Sequence, residues 1–117
     1  MKAKDFEEIV AMRIANILKT LSEKGDEYSE EKEDRLHNFK KAGEILEITP
    51  ESALLGMQAK HVVSILDLID TVDNIKEDEY LDISKEYISE KIGDTINYYI
   101  LLEALLYERI EIQEKEI

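Results

Sequence analysis

Cysteine and tryptophan are absent from this sequence, while proline occurs once and glycine four times. Without cysteine there is no disulfide, no thiolate zinc site and no cysteine nucleophile. No apolar run approaches the roughly 20 residues of a membrane span, and the first residues lack the apolar stretch of a signal peptide. The sequence therefore predicts a soluble cytoplasmic protein that does not use the membrane as a partner.

Positive charge is also scarce, with 15 basic residues against 28 acidic ones and a net charge of -13. Such a chain repels a phosphate backbone along most of its surface, so we expect no general nucleic-acid binding. The length of 117 residues allows one hydrophobic core. We accordingly predict a single domain over residues 1–117.

The apolar residues recur at intervals of three and four, which indicates an all-helical protein. We predict an antiparallel bundle of about four helices, because short connections force neighbouring helices to run in opposite directions. The first helix carries an apolar stripe from Phe6 to Leu21 and is expected to end at Gly25. The second is expected to begin after a capping Ser29, with Leu36, Phe39, Ala42 and Leu46 facing inward.

The second half of the chain has clearer boundaries. Thr49, Pro50 and Glu51 supply a capping residue, a proline for the first turn and an acid near the positive end of the helix dipole. An acidic connection from Asp73 to Asp82 should follow the third helix. The last helix, capped by Asp82 or Ser84 and running to about Gln113, is predicted to be the longest and central.

Three polar residues share one sector of this last helix with apolar neighbours. Glu90, Asp94 and Asn97 are spaced i, i+4 and i+7. One interpretation is structural, in which the acids are partly solvated or pair with Lys60 or Arg35. The other is functional, because two carboxylates and an amide suit Mg²⁺ or Mn²⁺, and a divalent cation would convert the repulsion between the acids into attraction.

The third helix offers a facing set of residues. Lys60 and Asp67 lie close in angle, and His61 lies beside them on the apolar stripe. A histidine on such a stripe is more often a hydrogen-bonded core residue than a ligand. Asp67 is a candidate metal ligand because it is the only charged residue within five, although it can equally face solvent.

A third group of candidates lies between the first two helices. Lys24, Arg35 and Asn38 are local hydrogen-bond donors in an acidic protein and can hold a phosphate, since the guanidinium fork matches anionic oxygens. Tyr28 can stack on a base or belong to the core. The alternative for the whole group is a solvated helix face with alternating charge.

Taken together, these segments resemble the nucleotide-modification-associated domain 1 family, which comprises small all-helical proteins of bacteriophages and bacteria. The resemblance spans residues 10–107. The residues that carry this resemblance are Lys24 to Tyr28, Asn38 with Phe39, Lys60 with His61, and the block from Glu90 to Tyr99 that includes Asn97 and Tyr98. The chain is more distantly similar to the MazG-like all-alpha nucleoside triphosphate pyrophosphohydrolases, whose acidic helix motifs hold Mg²⁺.

The resemblance implies a nucleotide-binding protein of phage or bacterial nucleotide metabolism. As an enzyme, it would bind a nucleotide through Arg35, Asn38 and Lys60, while Asp67, Glu90 and Asp94 hold the Mg²⁺ that orients phosphates and activates water. Two alternatives remain open. The same residues can bind a nucleotide or nucleotide signal without turnover, or the protein can be a structural helical homo-oligomer that associates through apolar residues such as Tyr99, Ile110 and Ile112.

Overall fold

The structure is a computed structural model that describes residues 1–28 and 34–116, with side chains described up to Ser22 and from Asp34 onward. Within these ranges there is no strand. The four helices are α1 (Ala3–Tyr28), α2 (His37–Leu46), α3 (Pro50–Asp73) and α4 (Lys85–Glu116). The prediction of an all-helical protein with a long C-terminal helix is confirmed.

The chain divides into two compact units, Met1–His37 and Asn38–Ile117. The first consists mainly of α1, whose apolar stripe of Phe6, Ile9, Val10, Ile14 and Leu18 is largely exposed. The predicted end of this helix at Gly25 is wrong, because α1 continues to Tyr28. A glycine inside a helix costs only about 1 kcal/mol relative to alanine, so it does not by itself end one. The predicted Ser29 cap lies outside the described residues.

The described start of α2 depends on Asp34. The Asp34 carboxylate accepts a hydrogen bond from the Leu36 backbone N–H at 2.9 Å, and its carbonyl accepts one from His37 N–H at 3.0 Å. At the other end, the buried Gly43 lies against the loop that leads to α3, where a Cβ would come within 2.8 Å of the Ile48 carbonyl oxygen. Glycine is therefore required there by close approach of the backbone.

Both ends of α3 agree with the prediction. Thr49 caps the helix by accepting a hydrogen bond from Ser52 N–H at 3.1 Å, and Pro50 occupies the first turn. The helix ends at Asp73, and the acidic connection that follows is exposed up to Asp82. Ser84 caps α4 through a 3.1 Å hydrogen bond from Tyr87 N–H. These boundaries are fixed by local hydrogen bonds, which is why the sequence alone could locate them.

The core of the second unit lies where α3 packs against α4. Its buried apolar side chains are Phe39, Ala53, Leu54 and Leu105, whereas the predicted inward residue Leu46 is exposed. The two helices run antiparallel, because the α3 residues Glu51, Gln58 and His61 meet the α4 residues Arg109, Thr95 and Asp94 in reverse order. This antiparallel pair positions His61, Asp94 and Tyr98 of the candidate site described below.

Helix α3 is also long and apolar enough, by length and composition alone, to cross a membrane, and 17% of its most apolar window is buried. These two criteria do not distinguish a spanning helix from one that packs against protein. The cytoplasmic location stays a prediction.

Candidate functional site

Side chains from three helices meet where α3 packs against α4. The Tyr98 ring of α4 lies between the Phe39 ring of α2, with centroids 5.9 Å apart, and the His61 ring of α3, with centroids 4.6 Å apart. Both contacts are edge-to-face, at 82° and 74°. His61 Nδ1 lies 3.8 Å from Asp94 Oδ2. We refer to Phe39, His61, Asp94 and Tyr98 as the His61 cluster.

Helical spacing accounts for this arrangement. Asp94 and Tyr98 are i and i+4 on α4 and therefore project to neighbouring positions, where both meet the same histidine of the antiparallel helix. The His61 side chain is 14% exposed and the Asp94 side chain 34% exposed, so the cluster reaches the surface on the Asp94 side. An imidazole held beside a carboxylate and an aromatic ring can hydrogen-bond, stack and exchange a proton with a ligand at that surface.

Two buried amides belong to the same helix pair. Gln58 is fully buried and Asn97 is 9% exposed. Gln58 Nε2 donates a 2.9 Å hydrogen bond to the Thr95 carbonyl, but Gln58 Oε1 and Asn97 Oδ1 accept none within the described part of the chain. An unsatisfied buried acceptor costs about 1–3 kcal/mol, so these two buried oxygens lower the stability of the helix pair and are not exposed to a ligand.

Sequence reasoning identified Asn97 but missed Gln58. The signal was present, because Gln58 interrupts the apolar stripe of α3 at the 4-3-4 spacing of Leu54, His61 and Ile65. A glutamine on the buried face of a helix buries its side-chain amide, which then needs a hydrogen-bond partner.

The predicted metal ligands are not gathered in one place. Among the described side chains, those of residues 1–22 and 34–116, no three histidine, aspartate or glutamate side chains are placed to hold a metal ion. Asp67 and Glu90 are both exposed, and the described partner of Asp94 is His61 rather than Lys60 or Arg35. Magnesium binding stays a prediction.

The predicted phosphate-binding residues are more dispersed. Lys60 and Asn38 are exposed, and each directly precedes a cluster residue in the sequence, His61 and Phe39 respectively. Arg35 is exposed in the first unit, and the side chains of Lys24 and Tyr28 lie outside those described. Only Lys60 and Asn38 are therefore neighbours of the His61 cluster along the chain.

A second group of charged residues lies toward the other end of the helix pair, which we call the Arg109 end. Arg109 donates two hydrogen bonds to Glu51, one from Nε to Oε2 and one from Nη2 to Oε1 at 2.8 Å. This pairing lowers the pKa of Glu51 and raises that of Arg109. Lys40 Nζ pairs with Glu108 Oε1 at 2.5 Å.

Both ion pairs border an open cavity of about 530 Å³, whose other lining residues include the acids Glu44 and Glu47 and the apolar Ile48, Leu105 and Ile112. This cavity could not be predicted from the sequence, because Glu51 and Arg109 are 58 residues apart. Its two cations are already neutralised by carboxylates, which makes it a poor phosphate site.

The comparisons with known proteins place no further constraint on the site. No protein-family model matches the chain, and no curated protein or solved structure is significantly similar to it. The resemblance to the nucleotide-modification-associated domain 1 family therefore stays a prediction that rests on the motifs quoted above.

Proposed function

We propose that this protein binds a nucleotide or a related phosphorylated small molecule at the His61 cluster. The observation that carries the proposal is the convergence of three helices on one partly exposed site that combines aromatic rings, an imidazole and a carboxylate. Tyr98 and His61 offer ring surfaces for a base, and the Asp94 carboxylate accepts hydrogen bonds from base N–H groups.

The phosphate groups need positive charge, and the acidic chain provides little of it. Lys60 directly precedes His61 in the sequence and supplies one cation, and Mg²⁺ arriving with the nucleotide supplies the remainder. Magnesium keeps several waters and is commonly bound by one or two carboxylates together with substrate phosphates. Asp94 with Glu90, one turn earlier on α4, is sufficient for this, so a preformed set of three acids is not required.

Binding is the function that the geometry supports best, and hydrolysis is the finer possibility within it. A pyrophosphohydrolase needs a water activated beside the phosphates, which a metal ion or the His61–Asp94 pair can do. We assign Asp94 and Glu90 as the residues for such a step and do not require it for the proposal.

A thermal-shift series with nucleoside mono-, di- and triphosphates, with and without Mg²⁺, tests the proposal. A ligand present at about 100 times its Kd raises the stability of the native state by about 2.7 kcal/mol. We expect at least one nucleotide to raise the Tm, with a larger shift when Mg²⁺ is present. Phosphate release in the same samples separates turnover from binding. The absence of a shift with every nucleotide, with or without Mg²⁺, would contradict the proposal.

The Asp94→Asn variant tests whether the nucleotide binds at the His61 cluster. It keeps the shape of the side chain and removes its charge, so we expect the nucleotide-induced shift to shrink while the Tm of the unliganded protein changes little. Asp78→Asn, in the exposed connection before α4, is the matched control and should keep the full shift. A destabilised Asp94→Asn protein with normal nucleotide binding would make the His61–Asp94 contact purely structural.

A further inference from the structure

We propose that the cavity at the Arg109 end binds a small organic cation, an ammonium group carried on an aliphatic chain. The cavity lies within the second unit, where the end of α2, the start of α3 and the last turns of α4 meet. Its volume of about 530 Å³ is typical of small-molecule pockets, which range over about 300–1,000 Å³. The proposal is independent of nucleotide binding at the His61 cluster.

Apolar side chains form one part of the cavity wall. Leu105 of α4 is buried, whereas Ile48 and Ile112 are 44% and 49% exposed. Pro50, at the start of α3, adds a fourth apolar side chain. An aliphatic chain in the cavity would remove the exposed parts of Ile48 and Ile112 from water, which is the main source of affinity in apolar pockets.

The charges around the cavity select a cation. The acids that line it are Glu44, Glu47, Glu51 and Glu108. Glu51 and Glu108 take part in the two ion pairs described above, and Lys41 Nζ lies 3.2 Å from Glu44 Oε2. Among the described residues, none hydrogen-bonds to or forms an ion pair with the carboxylate of Glu47. The cavity therefore has one carboxylate available for a cation, while its own cations are already paired.

The end of α2 strengthens this preference. Glu44 lies in the last turn of α2, and Glu47 follows the last residue of the helix. The dipole of a helix is negative at this end, where cations are favourable and acids are not. An ammonium group beside Glu47 therefore interacts favourably both with the carboxylate and with the end of the helix.

Glu47 also holds a backbone conformation that favours glycine. Its φ is 56°, in the left-handed region. The Ile48 N–H donates to the Gly43 carbonyl at 2.9 Å and the Glu47 N–H donates to the Glu44 carbonyl at 3.3 Å, the Schellman motif in which glycine is usual at the position of Glu47. Glycine would fit this turn with less strain, so a glycine variant can separate the stability of the turn from the charge of the carboxylate.

A divalent metal ion is the competing cation. Within the described side chains, no three acids or histidines are placed to hold one. A metal ion also makes no use of the exposed parts of Ile48 and Ile112, because its ligands are oxygens. The combination of a single carboxylate and an apolar wall instead matches an ammonium group with an aliphatic chain.

An NMR titration of the full chain with n-butylamine and n-hexylamine at pH 7 and constant ionic strength is the first test. We expect the methyl signals of Ile48 and Ile112 to move and those of Ile69, exposed on α3, to stay in place. Each additional buried methylene should tighten binding by up to about fourfold, so n-hexylamine should bind more tightly than n-butylamine. Hexanoate and 1-hexanol, which have the same chain without the positive charge, should bind more weakly than n-hexylamine.

Two variants of Glu47 form the second test. Glu47→Gln removes the charge and should weaken n-hexylamine binding by about three- to fivefold, the contribution of an exposed ion pair. Glu47→Gly should weaken it to a similar extent and, in contrast, raise the Tm of the unliganded protein, because glycine adopts the left-handed conformation without strain. Glu77→Gln, in the exposed connection after α3, is the matched control and should keep the wild-type affinity.

The amine can also be presented on a peptide. Nα-acetyl-lysine amide carries a four-carbon ammonium chain and should bind no more tightly than n-butylamine; tighter binding would assign the cavity to a lysine of a partner protein and overturn the proposal. Unmoved Ile48 and Ile112 signals, hexanoate binding as tight as that of n-hexylamine, or equal affinities of the wild type and both Glu47 variants would each overturn it as well. An equal loss of affinity in Glu77→Gln would reduce the effect to general attraction by an acidic chain.

Discussion

Two regions of the same helix pair use their polar residues in opposite ways. At the Arg109 end, each of two cations is matched to a carboxylate, through Arg109 with Glu51 and Lys40 with Glu108. At the His61 cluster, a carboxylate lies beside a histidine and an aromatic ring, and the amide oxygens of Gln58 and Asn97 accept no hydrogen bond in the described structure. The two cations of the first region have little capacity left for an anionic ligand, whereas the second region keeps a partly exposed carboxylate.

The largest expected effect comes from removing the ring at the centre of the cluster. Tyr98→Ala should lower the free energy of unfolding by about 2–4 kcal/mol, because large-to-small changes lose both transfer free energy and packing. Chemical denaturation monitored by circular dichroism measures this, and nucleotide binding should be lost as well. Tyr98→Phe keeps both ring contacts and is the control. If Tyr98→Ala unfolds as readily as the wild type, the ring contacts do not stabilise the second unit.

A variant of the buried Gln58 separates effects on the stability of the core from effects on nucleotide binding. Gln58→Met keeps a similar length and removes the unsatisfied oxygen, at the loss of the hydrogen bond to the Thr95 carbonyl. These terms oppose each other, so the free energy of unfolding should change by no more than about 1 kcal/mol. Because Gln58 is fully buried, nucleotide affinity measured by calorimetry should be unchanged. A loss of several kcal/mol would instead show that Gln58 is a structural element of the core.

The smallest expected effect is at the Arg109 end and depends on pH. The hydrogen bond from Arg109 holds the pKa of Glu51 below its ordinary value of 4.5, so the carboxylate form stabilises the folded state. This contribution is present above pH 4.5 and is lost as the pH falls through the lowered pKa. Glu51→Gln should reduce the Tm by only about a few degrees at pH 7, since exposed ion pairs contribute little.

The difference between Glu51→Gln and the wild type should shrink at pH values below 4.5. Differential scanning calorimetry at pH 7 and at several pH values below 4.5 measures it. Nucleotide binding at pH 7 should be the same in both proteins. A Tm difference that persists unchanged at the lowest pH would mean that the glutamate stabilises the protein through something other than its charge.

Much of the fold could be predicted because its signals are local. Thr49 with Pro50 and Ser84 act within a few residues and correctly predicted the starts of α3 and α4. The apolar repeat predicted α4 to about Gln113, and the helix continues to Glu116. Local signals failed at Gly25, where the helix continues, since the penalty for an internal glycine is small. The prediction that Leu46 faces inward was also wrong, because periodicity identifies an apolar face and does not say whether another element covers that face.

The candidate site was predictable only in part. Asp94, Asn97, Tyr98 and His61 were identified from their spacing and from the family resemblance, and the structure brings His61 together with Asp94 and Tyr98. Their mutual contacts were not predicted, because the sequence did not define the register between α3 and α4. Asp67 and Glu90 share no described metal site with them, since helical spacing fixes a direction on one helix and not a distance to another.

The sequence by itself determined the helices, the strong negative charge and the absence of disulfides, since each depends on composition or on interactions within one or two helical turns. The tertiary structure decided which side chains of different helices meet, which puts His61 against Asp94 and Tyr98 and Glu51 against Arg109. It also decided that one face of α3 stays exposed while its neighbour is buried. The physical reason is that burial and pairing depend on how whole helices pack, and a helix with apolar residues around most of its circumference permits several packings.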